Sequence, residues 1–182
     1  MLTQINEASD FIQNRFTSGA LPSPLFGVVL GSGLGAFADQ LNHRIEIPFE
    51  EIPHFPVSTV EGHAGQIVAG MLDEVPMMVL QGRFHYYEGY SMDQVAFPCR
   101  CMLKLKVPNL IVTNAAGSVD ADYQPGDLML IKDQIKFHAD SPLRGPNMDD
   151  FGPRFNDMSD PYTRPVRDLA VACAKEIGIP LK

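Results

Sequence analysis

Cysteine is scarce in this sequence, which limits the disulfides and metal sites that the chain can build. The three cysteines are Cys99, Cys101 and Cys173. Their number is odd, and neither a CxxC pair nor histidines at zinc-binding spacing accompany them, so we predict no disulfide framework and no metal site. Cys99 and Cys101 fall in a predicted helix, where we expect them to pack. Reduced thiols are typical of a cytoplasmic protein, which is the location we expect.

Basic residues are also few, and long apolar runs are missing. The chain has 14 Lys and Arg against 22 Asp and Glu, a formal net charge of −8. A nucleic-acid interface needs a basic stripe, so we expect no nucleic-acid partner, and an anionic ligand would need a local pocket. No apolar run reaches the roughly 18 residues of a membrane span. Residues 1–13 lack the basic start and apolar core of a signal peptide, so we expect neither a membrane partner nor export.

The abundant residues indicate a single α/β domain over residues 1–182. Hydrophobic residues make up 45% of the chain, enough for a sizeable core. Apolar runs bounded by Gly and Pro predict strands, and apolar residues at helical spacing predict helices. The predicted strands are residues 26–30, 45–47, 66–71, 76–80, 109–113 and 128–137. The predicted helices are residues 3–16 (capped by Thr3), 92–105 (opened by a Ser91–Gln94 capping box) and 164–177, the last with Val166, Leu169, Ala170, Cys173 and Ile177 facing inward.

The sequence GRFHYYEGY, residues 82–90, joins a predicted buried strand to a predicted helix. Strand-to-helix loops are where α/β enzymes place binding and catalytic groups. Arg83 offers a fixed fork of donors that suits an oxyanion, and His85 adds a donor that titrates near neutrality. A surface loop with an exposed charge pair is the alternative for this stretch taken alone.

A glycine-rich stretch, GSGLG at residues 31–35, directly follows another predicted buried strand. Its glycines let the backbone approach a ligand closely, and Ser32 adds a hydroxyl donor. The spacing is GxGxG rather than the GxGxxG of dinucleotide sites, and a GxxxxGK[ST] loop is absent, so phosphate is favoured over a dinucleotide or a nucleoside triphosphate. A plain tight turn would also account for the glycines.

Small residues follow a third predicted strand, in Asn114–Ala115–Ala116–Gly117–Ser118. Three strand ends, at residues 31–35, 82–83 and 114–118, therefore carry Gly, Ala or Ser. In a parallel α/β sheet such ends gather along one edge, where ligands bind. His63 lies between glycines in EGHAG, residues 61–65, which is compatible with a solvated turn or with a mobile loop that brings the histidine to a pocket.

Together these motifs resemble those of the trimeric purine nucleoside phosphorylases. GSGLG, EGHAG, GRFHYYEGY, TNAAGS (residues 113–118) and PLRGPN (residues 142–147) occur in that family's order and spacing, and the resemblance covers essentially all 182 residues. It implies a three-layer αβα fold with a mixed, twisted central sheet, of which this chain is the N-terminal two thirds and the C-terminal part is missing. The sister methylthioadenosine phosphorylases carry Thr-Ala-Cys-Gly where this chain has residues 114–117.

The resemblance also implies roles for individual residues. Phosphate would be bound by Ser32, His63, Arg83, Phe84 (through its backbone), His85, Asn114 and the amide of Ala115. The nucleoside would be bound by Tyr87, Ala115, Ala116, Gly117 and Phe155, the last covering the sugar in a neighbouring subunit. His85 and Glu88 would be the catalytic pair, Glu88 orienting its charged neighbours.

The implied activity is phosphorolysis of purine nucleosides by a homotrimer, with inorganic phosphate as co-substrate and no cofactor. In the family, the residues that grip the purine lie beyond the position of Lys182, so base specificity cannot be read from this chain. We therefore expect residues 1–182 alone to bind phosphate weakly at best and not to cleave inosine or guanosine measurably. The alternatives are a methylthioadenosine phosphorylase and a non-catalytic, phosphate-binding chain.

Overall fold

The computed structural model describes residues 1–57 and 64–182. In the described residues, helices and strands follow one another in the order α1 (Leu2–Ser18), β1 (Phe26–Val29), β2 (Asn42–Pro48), β3 (Gln66–Leu72), β4 (Val75–Gln81), α2 (Met92–Lys104), β5 (Asn109–Val112) and α3 (Arg164–Glu176). The chain forms two compact units. The first comprises residues 1–115 and 140–144, and the second comprises residues 116–139 and 145–182.

The first unit is built on a five-stranded mixed sheet with the order β2-β3-β4-β1-β5. β1 runs parallel to both β4 and β5, so that Val28 lies opposite Val79 on one side and Ile111 on the other. β3 runs antiparallel to β2 and β4. The carboxyl ends of β1, β4 and β5 therefore lie along the same edge of the sheet, which is where open α/β sheets bind ligands.

Local sequence explains the antiparallel part of this sheet. Leu72 pairs with Val75, which leaves Asp73 and Glu74 as a two-residue hairpin loop. Asp73 has a φ of 52°, in the left-handed region that the favoured hairpin turns require and that aspartate tolerates. The turn thus sets the register that brings Gln66, at the start of β3, opposite Gln81, at the end of β4.

Apolar side chains from the strands and from α1 form the core. Val28, Val68 and Val79 are buried in one cluster at the centre of the sheet. A chain of aromatic rings lies beneath residues 82–90: Phe49 contacts Phe84 with ring centroids 5.2 Å apart, and Phe84 contacts Tyr90 at 5.5 Å. This packing supports the loop that carries Arg83, since ring contacts stabilise beyond the area they bury.

α2 begins at the predicted capping box. The Ser91 amide donates to Gln94 Oε1 at 2.9 Å, and the Gln94 amide donates to Ser91 Oγ at 3.3 Å. Cys99 and Cys101 lie on this helix, and burial raises the pKa of both thiols, that of Cys101 to about 12. A thiol kept neutral in this way packs as an apolar group rather than acting as a nucleophile.

Three details of the sequence prediction were wrong. α1 begins at Leu2, with the Ile5 amide donating to the carbonyl of Met1, so Thr3 is inside the helix rather than its cap. Residues 128–137 form no strand, because a strand needs a paired neighbour along its length and pairing here is confined to a single bridge, between Leu128 and Leu181. The apolar residues of α3 do not face a core, since no residue of that helix is buried.

Candidate functional site

The glycine loop, residues 31–35, follows the end of β1, and at its first residue, Gly31, there is little room around the backbone. A Cβ on Gly31 would lie 3.1 Å from the Thr113 carbonyl oxygen and 3.1 Å from Asn114 Cα, so any side chain there would force the loop away from β5. Gly33 has a φ of 83°, a conformation that glycine adopts without strain. Between them the side chain of Ser32 is exposed and can reach a ligand.

Arg83 follows the end of β4 and is held by two hydrogen bonds. Its Nε donates to Nε2 of His85 at 2.9 Å, and its Nη1 donates to the carbonyl oxygen of Thr113 at 2.5 Å. Together these two bonds fix the plane of the guanidinium. The cation is thereby aimed by residues on two different strand ends, an arrangement suited to binding an anion at the sheet edge.

His85 and Glu88 form a pair in which each ring nitrogen of the histidine has a defined role. Because Arg83 is always a donor, Nε2 of His85 must accept and Nδ1 must carry the proton. Nδ1 then donates to Glu88 Oε1 at 2.6 Å, and the backbone amide of His85 donates to the same oxygen at 2.8 Å. Only 5% of the Glu88 side chain is exposed, so the pair is well shielded from water. Glu88 therefore fixes the orientation of the imidazole.

A cavity of ≈ 90 Å³ lies at this sheet edge, lined by Leu30, Gly31, Ser32, Gly33, Gly35, Ala64, Gln81 and Gly82. Pockets for drug-sized ligands measure about 300–1,000 Å³, so the cavity fits a small ion rather than a nucleoside. A second cavity of ≈ 310 Å³ is lined by Pro48, Phe49, Glu50, Val57, Ala64, Gly65 and Gln66, of which Glu50 is acidic. The smaller cavity is lined by the glycine loop and by Gly82, the residue before Arg83, and is therefore the better candidate for an anion.

The structure brings most of the predicted phosphate residues to one edge of the first unit. Ser32, Arg83 and His85 follow β1 and β4, while Asn114 and Ala115 are exposed just after β5. The other predicted residues are placed differently. Phe84 is 3% exposed and its ring packs in the aromatic cluster, so only its backbone can reach a ligand, and His63 lies outside the described residues.

The predicted nucleoside residues are divided between the two units. Tyr87 is 77% exposed and stacks on the ring of His85 with centroids 4.7 Å apart in the first unit. Ala116, Gly117 and Phe155 belong to the second unit, where Phe155 is 89% exposed. An aromatic ring as exposed as that of Phe155 is available to contact a ligand or another protein chain.

Two residues that organise this edge were missed by sequence reasoning, Thr113 and Gln81. The Thr113 hydroxyl accepts from the Gly31 amide at 2.7 Å. The Gln81 side chain donates to the Gly35 carbonyl at 2.9 Å and accepts from Gln66 at 2.8 Å. Thr113 directly precedes residues 114–118, and Gln81 directly precedes residues 82–83. This position next to a predicted strand end was the only signal in the sequence that could have identified them.

Within the part of the chain that the structure describes, no group of three or more His, Cys, Asp or Glu side chains is arranged to hold a metal ion. None of the described helices is both long and apolar enough to cross a bilayer.

Comparison with known proteins gives a consistent assignment. The family model described as the phosphorylase superfamily matches residues 25–182. Purine nucleoside phosphorylase 1 of Geobacillus stearothermophilus is 51% identical over 177 residues, which are 97% of this chain and 63% of that protein. Purine nucleoside phosphorylase 1 of Bacillus subtilis is 50% identical over 182 residues, which are 100% of this chain and 66% of that protein. The chain thus spans 63–66% of the length of these two relatives.

Solved structures show the same similarity. The structure of isoform 2 of purine nucleoside phosphorylase from Schistosoma mansoni, in complex with cytosine and ribose-1-phosphate, matches with a TM-score of 0.88 and 38% identity, over 97% of this chain and 61% of that one. A Schistosoma mansoni purine nucleoside phosphorylase in complex with adenosine matches with a TM-score of 0.85 and 41% identity, over 96% of this chain and 61% of that one. The predicted nucleoside phosphorylase-like α/β fold is therefore confirmed.

Proposed function

The chain belongs to the phosphorylase superfamily, and from this we propose that the protein carrying it is a purine nucleoside phosphorylase. It would catalyse the reversible reaction of a purine ribonucleoside or deoxyribonucleoside with inorganic phosphate, giving the free purine and the pentose 1-phosphate. One observation carries the proposal: the Arg83–His85–Glu88 network and the glycine loop meet at the carboxyl ends of three parallel strands. The relatives named purine nucleoside phosphorylase support the choice of substrate.

In this proposal phosphate is bound by donors from all three strand ends. Ser32 contributes its hydroxyl, Arg83 its guanidinium, and Asn114 and Ala115 contribute groups that are exposed just after β5. Phe84 contributes backbone only, and His63 would complete the set. Several donors on one dianion hold it in place against the sugar, which removes much of the entropic part of the barrier.

The bond changes define what the site must stabilise. A phosphate oxygen forms a bond to the anomeric carbon while the bond from that carbon to the purine nitrogen breaks, and the purine leaves with the bonding electrons and takes up a proton. The sugar becomes oxocarbenium-like on the way, so the phosphate dianion held beside it stabilises the transition state. In this proposal His85 acts through Arg83: its Nε2 accepts from the guanidinium at 2.9 Å, and Glu88, 2.6 Å from Nδ1, holds the imidazole in the orientation that this bond requires.

The nucleoside would bind next to this phosphate. Tyr87, exposed and stacked on His85, would contact the ribose, and Ala115, Ala116 and Gly117 would line the path of the nucleoside. Phe155 would cover the sugar of a neighbouring subunit in a homotrimer. We propose that the protein is cytoplasmic and uses no cofactor. Inorganic phosphate is its co-substrate.

The test is a phosphorolysis assay of the full-length natural protein that carries this sequence. Inosine, guanosine, adenosine and methylthioadenosine are each incubated with and without inorganic phosphate, and free base and pentose 1-phosphate are measured. We expect release of a purine that depends on phosphate and yields equimolar pentose 1-phosphate. Base release that is independent of phosphate, or cleavage restricted to methylthioadenosine, would refute the assignment.

A further inference from the structure

We propose that Thr113 is a positioning residue for phosphate, which holds the glycine loop and Arg83 in a fixed relation to each other. The inference rests on the proposed function, because it concerns the same phosphate site. Thr113 follows the last residue of β5 and is half-buried. It is not among the residues proposed to touch phosphate, and it acts through two groups that are.

The hydroxyl of Thr113 fixes the start of the glycine loop. It accepts a hydrogen bond from the Gly31 amide at 2.7 Å and donates one to the Val29 carbonyl at 2.9 Å. The Thr113 amide donates to the same carbonyl at 3.0 Å. The side chain therefore continues the β1–β5 pairing by one step, into the backbone that leads to Ser32.

The carbonyl oxygen of Thr113 fixes Arg83. It accepts from Arg83 Nη1 at 2.5 Å, although β4 and β5 are not neighbours in the sheet and β1 lies between them. The guanidinium thus reaches across the end of β1. Gly31 leaves the space for this, since a Cβ there would lie 3.1 Å from the same carbonyl oxygen.

The role requires a hydroxyl at this position. Gly31 is buried, so its amide would lose its partner if residue 113 could not accept a hydrogen bond. Valine has the shape of threonine without the hydroxyl and would leave that amide unsatisfied, whereas serine keeps the hydroxyl. With valine we expect the loop to move away from β5, so that Ser32 and Arg83 no longer converge on one anion.

The experiment compares Thr113→Val, Thr113→Ser and wild type in the full-length natural protein. Inorganic phosphate binding is measured by calorimetry, phosphate and nucleoside KM by steady-state kinetics, and exchange of the Gly31 amide by NMR. We expect Thr113→Val to raise the phosphate Kd about tenfold, the scale of one hydrogen bond lost at a buried donor, and to speed Gly31 exchange. Nucleoside KM should change less than about twofold, and Thr113→Ser should restore both phosphate binding and amide protection.

Thr17→Val is the matched control, because the Thr17 hydroxyl also bonds a backbone carbonyl, that of Gln13 at 3.0 Å, but in α1. It should leave phosphate binding unchanged. If the valine variant does not fold, Thr113→Ala removes the same hydroxyl and the same loss is expected.

The outcomes separate the two proposals. A wild-type protein that binds phosphate, together with a Thr113→Val variant that binds it equally well, would overturn the positioning role alone. A serine variant as impaired as the valine variant would also overturn it, because the hydroxyl would then not be the active feature. A wild-type protein that neither binds phosphate nor uses it would overturn the proposed function, and the positioning role with it.

Discussion

At the sheet edge, hydrogen bonds between neighbouring side chains hold each side chain in one conformation. Arg83 is held by His85, and His85 is held by Glu88, each through a bond of 2.9 Å or less. A side chain that is already ordered loses less conformational entropy when a ligand binds. This network would therefore bind the proposed phosphate at a reduced entropic cost.

The first prediction concerns the charge of Arg83. Arg83→Ala removes a cation from the proposed phosphate site, and we expect phosphate binding to weaken by about 1.5–3 kcal/mol, the range for a hydrogen bond to a charged group. Isothermal calorimetry with inorganic phosphate measures this. Arg44→Ala is the control, because Arg44 forms exposed ion pairs with Asp39 and Glu46, both at 3.1 Å. Equal losses in the two variants would show that only overall charge matters.

The second prediction concerns the thiol of Cys101. Burial raises its pKa to about 12 in the folded chain, whereas an unfolded cysteine titrates at about 8.5. Between these values the unfolded chain has lost the proton and the folded chain retains it, so stability is complete at neutral pH and falls as the pH rises above about 9. We expect a slope of about −1.4 kcal/mol per pH unit from this group.

Urea unfolding of wild type and Cys101→Ala from pH 7 to 11 isolates the contribution of this thiol. The variant should lose less stability per pH unit than wild type, because tyrosines and lysines titrate equally in both. Parallel profiles of stability against pH for the two proteins would contradict the raised pKa of Cys101.

At the scale of elements, the start of α2 and the side chains on it hold neighbouring segments in place. α2 begins immediately after the proposed binding loop, and its capping box satisfies two groups at that boundary. Arg100 on the same helix is buried, pairs with Asp93 at 2.8 Å and donates to the Pro142 carbonyl at 2.6 Å. α2 therefore anchors both the loop before it and the segment 140–144.

The third prediction tests the start of this helix. Ser91→Ala removes the acceptor for the Gln94 amide, and we expect the free energy of unfolding to fall by about 1 kcal/mol. Chemical denaturation monitored by circular dichroism measures it. Ser18→Ala, at the last residue of α1, removes a hydroxyl that donates to the Arg15 carbonyl but caps no helix start, and should change stability by less than about 0.5 kcal/mol. Indistinguishable losses would argue against the capping role.

At the scale of the whole molecule, the second unit leaves much apolar surface uncovered. Phe155, Leu169 and Ile177 are all exposed there, and α3 buries none of its residues. Exposed apolar groups of this kind mark interaction surfaces. The proposed homotrimer gives one of them a role, because Phe155 would cover the sugar in a neighbouring subunit.

The fourth prediction follows from the proposed contribution of Phe155 to a neighbouring subunit's site. Arg83→Ala and Phe155→Ala variants of the full-length protein should each turn over nucleoside slowly, the first through lost phosphate binding and the second through a raised nucleoside KM. Trimers reassembled from the two variants should regain activity, because a site with an intact Arg83 can receive Phe155 from the other subunit.

Light scattering establishes whether trimers form, and mixing each variant with itself is the control. Monomers in light scattering, or mixed trimers no more active than the unmixed ones, would contradict the arrangement.

The sequence by itself determined the local elements and the chemistry at their ends. Apolar runs and turn residues predicted β1, β3, β4, β5 and α2 to within one or two residues, because burial pattern and capping are local properties. The residue types at the strand ends predicted an anion site for the same reason.

Only the tertiary structure decided which groups meet. Gly31 bonds Thr113 across a separation of 82 residues, and Gln81 bonds Gly35 across 46, so no local pattern reports either contact. The failure of residues 129–137 to form a strand and the exposure of α3 were also beyond the sequence, although both segments are patterned for burial. A strand or an apolar helix face is stabilised by a partner, and whether the partner is present depends on how distant parts of the chain come together.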